Sequence, residues 1–465
     1  MHTMRTLIVI LVLVLGSTVA VTGDEIQYLD APKVVPGSTD AMQSPQFWID
    51  NITGDPDRVI MTTDQIAVLN LENMTKSYER QDIHGETYSV VRPNTFLVDD
   101  PLTITSFPGD SVRVYLEQNK RFLERGTFYD FRNRTWDEDM KNALIDMVNA
   151  DVVPDNIIPL HGILVEHSFN RKFPTHKKAW REQNGWLNQF GNTNLDAGMP
   201  VAVLHMSKDR DWYFVRSPIH FGWVPATNVA IGEIGEIRDF VEAPDFIVSC
   251  IYKVPVYSDM AGRNFLMDLY MGAKLKLVEN TSDGYYVLVP FRGPDGAFEA
   301  VTGWVEPDAE VSVGYQPYTQ RNIINTFFSL LYRPWSSGDS YYERHCCGTV
   351  RGVLKSFGIN LRNVTTLQLH ASDHVIAFPM DTPKEKKHEL LDGHEPAITL
   401  IGSREHIIMY LGKVGGSHYV IHSTGYDYKE SDTTVRMVRR VNVNDTELEG
   451  GSHFGKWTYI CTVKP

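Results

Sequence analysis

The chain has 465 residues, room for about three or four domains of roughly 100–150 residues each. Its 42% hydrophobic and 11% aromatic content is ordinary for a globular protein, and no low-complexity block interrupts it. A formal net charge of −14, with no basic stripe to collect phosphates, argues against nucleic acid as a partner.

The N-terminus has the pattern of an export signal. Met1 to Arg5 supply a short positive region, Leu7 to Leu15 are wholly apolar, and Gly16 to Ala20 offer small residues for cleavage. The apolar run is well short of the roughly 20 residues that a membrane span needs. Residues 1–23 are therefore expected to be a signal peptide, leaving no stable membrane span after cleavage, and the location to be secreted or periplasmic (extracytoplasmic). Only Cys250, Cys346, Cys347 and Cys461 are present, too few for a disulfide scaffold in an exported chain of this size. Cys250 and Cys461 are expected to be buried small hydrophobes or one bridge. Asn-x-Ser/Thr sequons at Asn51, Asn73, Asn133, Asn280, Asn363 and Asn444 are open to glycosylation in a eukaryotic secretory pathway.

Residues 24–60 contain Pro32, Pro36, Pro45 and Pro56 and are expected to form a turn-rich, extended lead-in. Thr62 to Gln65 has the look of a helix start before Ile66, Leu69 and Leu71. Asp137 to Val148 is a second expected helix, with Met140, Leu144, Met147 and Val148 on one face and acids in its first turn. Residues 24–158 thus form an N-terminal helical region. From about 160 the period shortens. Strand-like runs at 200–204, 212–215 and 220–224 are followed by a related series at 252–257, 273–277, 285–289 and 302–305. Both series end in Gly-Trp-Val, at 222–224 and 303–305, which predicts two small β-barrels over 159–240 and 241–314.

Helical period returns from Gln320 to Leu331, and Pro334 to Gly338 makes a turn. Val350, Val353, Leu354 and Phe357 then fall at i, i+3, i+4 and i+7, and Gly358 follows as a left-handed cap. Cys346 and Cys347 therefore sit at or just before a first helical turn. Unpaired N–H groups and the helix dipole favour thiolate there, which makes a cysteine in this place a candidate nucleophile. The stretch from Asp381 to Glu395, charged and bounded by Pro383, is expected to be a surface loop.

A thiol nucleophile needs a base, usually histidine, oriented by a third polar group. His406 to Leu411 and Ser417 to His422 both have strand character and flank Gly412 to Gly416. If Leu411 pairs with Ser417 around that five-residue loop, His406 lies directly opposite His422 on one face. Cys346 as nucleophile, His406 as base and His422 as orienter follow. Two unrelated histidines near a hairpin remain the alternative, and His418 shares the face of His422. A metal site from His345, Cys346, Cys347, His406 and His422 lacks Cys-x-x-Cys or His-x-x-x-His spacing, so no metal or other cofactor is expected. A serine mechanism has no nucleophile-elbow motif behind it.

These residues resemble the NlpC-type cell-wall cysteine peptidases. Tyr332 to Trp335, Arg344-His-Cys-Cys-Gly348, Phe357-Gly-Ile359, His406 to Gly412 and Ile421-His-Ser423 follow that family's order. The likeness extends upstream through Gly162 to Val165, Arg171 to Thr175 and the two Gly-Trp-Val blocks. It implies an α+β multidomain fold: an N-terminal helical and clip-like region, two bacterial SH3-like barrels and a papain-like peptidase domain over 315–465. It implies hydrolysis of the γ-D-glutamyl–diamino acid bond of peptidoglycan stem peptides or muropeptides by Cys346, His406 and His422. It also assigns the nucleophile to Cys346 rather than Cys347. The departures lie around the nucleophile. The family's aspartate before the cysteine is His345, and its following serine is Cys347. Trp-Gly-Gly has become Trp335-Ser336-Ser337, Leu-Pro-Arg has become Leu361-Arg362-Asn363, and Thr365 and Thr366 stand near the family's serines. By resemblance, His345, Cys347, Trp335 and Thr365 belong to a substrate subsite whose hold on a free N-terminal amine is altered. A non-catalytic wall- or peptide-binding protein with the same fold, and an acyltransferase, are the alternatives.

Overall fold

The computed structural model describes residues 26–75, 80–81, 87–88, 100–185, 187–336, 345–448 and 452–465. The expected signal peptide and residues 337–344, among them Ser337, Gly338, Glu343 and Arg344, lie outside them. No helix among the described residues is long and apolar enough to cross a membrane.

The fold is α+β, with two seven-stranded sheets followed by a six-stranded one. One seven-stranded sheet holds the runs Leu160–Leu164, Ser168–Arg171, Gly191–Leu195, Pro200–Met206, Trp212–Arg216, Phe221–Pro225 and Val229–Ile231. A second seven-stranded sheet covers Phe246–Ser249 to Val311–Val313. Trp223 is fully buried and Trp304 nearly so. Trp223 joins a core that continues beyond its sheet, Trp304 donates its indole N–H to Asp283 O at 2.9 Å, and the valine after each, Val224 or Val305, lies in the sheet's own core.

The segment before these sheets divides its packing. Helix α1 (Pro45–Asp50) and helix α2 (Thr63–Thr75) pack Trp48, Ile49, Ile66 and Leu69 into the core that also holds Val350, Val353, Ile407 and Ile421. Helices α3 (Gly109–Arg125) and α4 (Glu138–Val148) instead pack against the first barrel through Val112, Leu116 and Leu144. The extended lead-in is therefore only partly extended, since Ser44-Pro45 opens a helix there (Pro suits the first helical position). The start of α2 is a reciprocal capping box: Gln65 N–H donates to Thr62 Oγ1 at 3.3 Å, and Thr62 N–H to Gln65 Oε1 at 2.9 Å.

The C-terminal part is a six-stranded antiparallel sheet. Its order is Val375–Ala377, Tyr459–Thr462, Thr399–Gly402, Ile407–Val414, Ser417–Thr424 and Arg440–Asp445. Helices α5 (Ile234–Val241) and α6 (Gln320–Phe328) precede helix α7 (Cys346–Lys355), and α6 and α7 pack into the same core as the sheet. Every residue of α7 from Cys346 to Leu354 is buried, including Arg351. Its outer side rests on the barrels. Arg351 donates to Asn194 O at 3.3 Å, Lys355 Nζ pairs with buried Asp196 at 2.7 Å, and Ser356 Oγ donates to Ser249 O at 3.2 Å.

One expectation fails outright. The charged stretch taken for a surface loop contains helix α9 (Lys384–Asp392), after the short helix α8 (Thr365–Gln368). Lys387 lies buried in α9 and donates to Met380 O at 3.0 Å and Gly455 O at 2.7 Å. Its four-carbon stem supplies the apolar contact that its charge hides in a sequence pattern. The possible Cys250–Cys461 bridge is not formed; all four cysteines are free thiols.

Candidate active site

His345 is the N-cap of α7. Its backbone is extended, and its Nδ1 accepts from Gly348 N–H at 3.4 Å. Cys346 and Cys347 are the first two helical residues, where backbone N–H groups lack intrahelical acceptors. Cys347 Sγ lies 3.0 Å from His345 Nδ1. The thiols also bond each other, and they titrate in opposite directions. Cys346 is held well below the ordinary thiol range by the hydrogen bond from Cys347, helped by the nearby His406 and His345. Cys347 is pushed up by the same bond and by burial, with Thr365 opposing through its own hydrogen bond. The surroundings of Cys346 thus favour its thiolate and those of Cys347 its thiol.

Gln368, at the end of α8, braces this turn: its amide donates to Cys347 O at 2.9 Å and Arg362 O at 2.8 Å. Sequence reasoning passed over it, because a glutamine in a polar segment gives no signal of burial.

His406 and His422 meet, but by a different register from the one expected. The hairpin turns on two residues, Gly415 and Gly416, with φ of +59° and +91°, and Val414 pairs with Ser417. Two glycines in succession suit such a turn because both central residues need positive φ. Lys413 faces His418 and Gly412 faces Tyr419. Continued unbroken, that register would set His422 opposite Met409 and put the two histidines on opposite faces. A bulge between Tyr410 and Gly412 removes one step, so that Tyr410 faces Val420 and Met409 faces Ile421. His406, just before its strand, and His422 are then diagonal neighbours on one face. Their rings touch, His406 Nε2 to His422 Nδ1 at 2.7 Å.

The chain of contacts continues to Asn444. His422 Nε2 lies 2.8 Å from Asn444 Oδ1, and Asn444 Nδ2 donates to Asp445 O at 2.7 Å, which fixes the amide's orientation. An acceptor at Oδ1 requires the proton of His422 on Nε2. Its Nδ1 then accepts from His406 Nε2–H, and the free lone pair of His406 falls on Nδ1. The Cys346 thiol is within hydrogen-bonding reach of this ring. Both histidines are nearly buried, and Tyr426 packs edge-on against His406 with ring centres 5.2 Å apart. Asn444 entered the sequence reading only as a sequon. Its side chain is 6% exposed, so the folded chain has no room for a glycan there.

His345, Cys346, Cys347, Thr365, His406 and His422 therefore converge. Trp335 is fixed separately, half-buried, with its backbone N–H donating to Arg439 O at 2.8 Å.

Comparison with known proteins fits this description. The family profile of the SH3 domain (SH3b1 type) matches residues 183–225. An NlpC/P60 endopeptidase from Photobacterium damselae subsp. piscicida has the same fold, with a TM-score of 0.71. The match covers 94% of this chain and 99% of that one at 15% identity. An NlpC/P60 family protein from Bacillus cereus ATCC 10987 is more distant, at TM-score 0.43 and 19% identity over 59% of this chain and 83% of that one. No curated protein matches the sequence. The chain has the NlpC/P60-type fold with an SH3 domain.

Proposed function

We propose that this protein is an exported cysteine peptidase that hydrolyses the γ-D-glutamyl–diamino acid amide bond of peptidoglycan stem peptides. The observation that carries the reading is the directed chain Asn444–His422–His406–Cys346. It leaves a lone pair on the ring beside a cysteine whose environment favours thiolate.

In this mechanism Cys346 thiolate attacks the amide carbonyl, and His406, carrying the proton, delivers it to the leaving amine. A water deprotonated by His406 then cleaves the thioester, and the thiolate returns. His422 holds the tautomer of His406 and shares the charge of its imidazolium. Backbone N–H groups at the start of α7 supply donors for the oxyanion. Residues 1–23 direct export, and the SH3-type barrels bring the enzyme to its wall substrate.

The amino-end subsite is altered. Where relatives in this fold are expected to carry a carboxylate and a hydroxyl, this chain has the imidazole of His345 and the thiol of Cys347, turned to each other at 3.0 Å. An imidazole bonded in this way offers no counter-charge to an ammonium group, so a free N-terminal L-Ala is not required. Turnover of a defined muropeptide panel, with products identified by mass, tests both parts. Wild type cleaves after γ-D-glutamate with or without a free amino end, and Cys346→Ala does not. Binding of the panel without turnover would identify a wall-binding protein instead.

A further inference from the structure

His345, Cys346 and Cys347 show no Cys-x-x-Cys or His-x-x-x-His spacing in the sequence. The fold nonetheless brings three soft or borderline ligand atoms together at one helix end. One ligand atom from each of His345, Cys346 and Cys347 lies within 4.8 Å of the others. Each is prepared for coordination. His345 Nδ1 accepts from Gly348 N–H at 3.4 Å, so this nitrogen carries a lone pair rather than a proton, and an ion takes the place of that N–H. The N-cap geometry fixes that ring, and Gln368 and Thr365 hold the backbone and side chain of Cys347. Both sulfurs belong to the first two residues of α7, at the positive end of its dipole.

We propose that His345, Cys346 and Cys347 form a binding site for one thiophilic divalent ion of the zinc class, and that its occupancy blocks Cys346 as a nucleophile. Zinc takes Cys and His ligands at roughly 2.0–2.3 Å in tetrahedral sites, which sets ligand atoms roughly 3.5 Å apart. Binding therefore draws the three ligand atoms inward from their observed spread of up to 4.8 Å. The fourth position is left to water. The blocking effect rests on the peptidase reading; the metal site itself does not.

Cobalt(II) titration of the full mature chain, stripped beforehand with a chelator, tests the site directly. The expected result is a thiolate-to-cobalt charge-transfer band that saturates at one ion per chain and disappears when zinc is added. Cys347→Ser and His345→Gln should each weaken binding by about ten-fold or more, while Cys250→Ser leaves it unchanged. Two changed residues guard against misfolding of either variant. No thiolate band, or undiminished binding in both variants, overturns the site. In the peptide assay, zinc at saturating level should abolish turnover and a chelator should restore it. Full activity with the ion bound overturns the blocking role. A chain that binds cobalt as described yet cleaves no peptide upholds the site and removes only the proposed peptidase activity.

Discussion

His406 Nε2 and His422 Nδ1 stand 2.7 Å apart although neither residue is opposite the other in the sheet. The contact depends on a bulge at Leu411 that shifts the register by one residue and so returns both imidazoles to the same face. From there the hydrogen-bond direction passes through His422 to Asn444, which makes a buried amide the anchor of the tautomers of both rings.

That anchor is open to test. Asn444→Ala removes the acceptor and lets His422 take the wrong tautomer, with an expected loss in kcat of about ten-fold or more, while KM changes little. Asn444→Asp keeps an acceptor at the same place and should retain most of the activity. Equal losses in the two variants would assign Asn444 a packing role instead.

Cys346 and Cys250 predict a contrast in alkylation. The pKa of Cys346 is lowered, so its thiolate persists as pH falls below the ordinary thiol range of about 8.5. Cys250 is pushed up to about 12 by burial. Iodoacetamide at pH 6–7, followed by peptide mapping, should therefore label Cys346 and spare Cys250. Labelling that rises only above about pH 8 at every cysteine would contradict the thiolate assignment.

Gly402 sits against the backbone of His406. A Cβ there would lie 2.2 Å from His406 O, and that oxygen accepts from Ser403 N–H at 2.9 Å to close the turn. Gly402→Ala should push His406 away from Cys346 and cost about 10²-fold in kcat/KM, since misplacement by about 1 Å has that effect. The readout that separates this from simple destabilisation is the alkylation profile of Cys346, which should move toward higher pH because the nearby imidazole helps to hold the thiolate. An unchanged profile would contradict it.

Acid should weaken the fold through two buried histidines. His418 is lowered to about 4, mainly by burial and then by nearby His388 and Lys413, with Asp392 opposing; Tyr410 OH bonds its Nδ1. His220 is likewise lowered to about 4 by burial. Above about pH 6.5 both rings are neutral whether folded or unfolded, and they contribute no pH dependence. Between about 6.5 and 4 the unfolded chain binds more protons, so stability falls as pH falls, by up to about 3 kcal/mol for each group at pH 4. Tm measured at pH 7.5 and pH 5 should decrease on acidification, and His418→Gln should flatten the slope. A Tm that rises on acidification would contradict this.

Much of the site was legible because its signals are local. The period of Val350, Val353, Leu354 and Phe357 marked α7, and the cysteines fell at its start. The histidine pair was legible in kind but not in register. The expected five-residue loop and the observed two-glycine turn with a bulge differ by two steps at His406, and an even difference keeps the same face. Asn444 and Gln368 were not legible, because amide side chains carry no periodic or charge signal and act only through tertiary contacts. Helix α9 was hidden by its own charges: Lys387 and Leu391 form its buried side, but a lysine there reads as surface. The division of the N-terminal region between two cores was hidden as well, since periodicity shows that a face is buried but not against what.

The central claim is that Cys346 forms a covalent acyl intermediate in amide hydrolysis. Rapid-quench intact-mass measurement of the full mature chain with a synthetic γ-D-glutamyl–diaminopimelyl stem peptide tests it most directly. The account predicts a transient adduct of the mass of the amino-terminal acyl fragment, mapped to Cys346 and absent in Cys346→Ala. An adduct on Cys347, or hydrolysis that persists in Cys346→Ala, would contradict it.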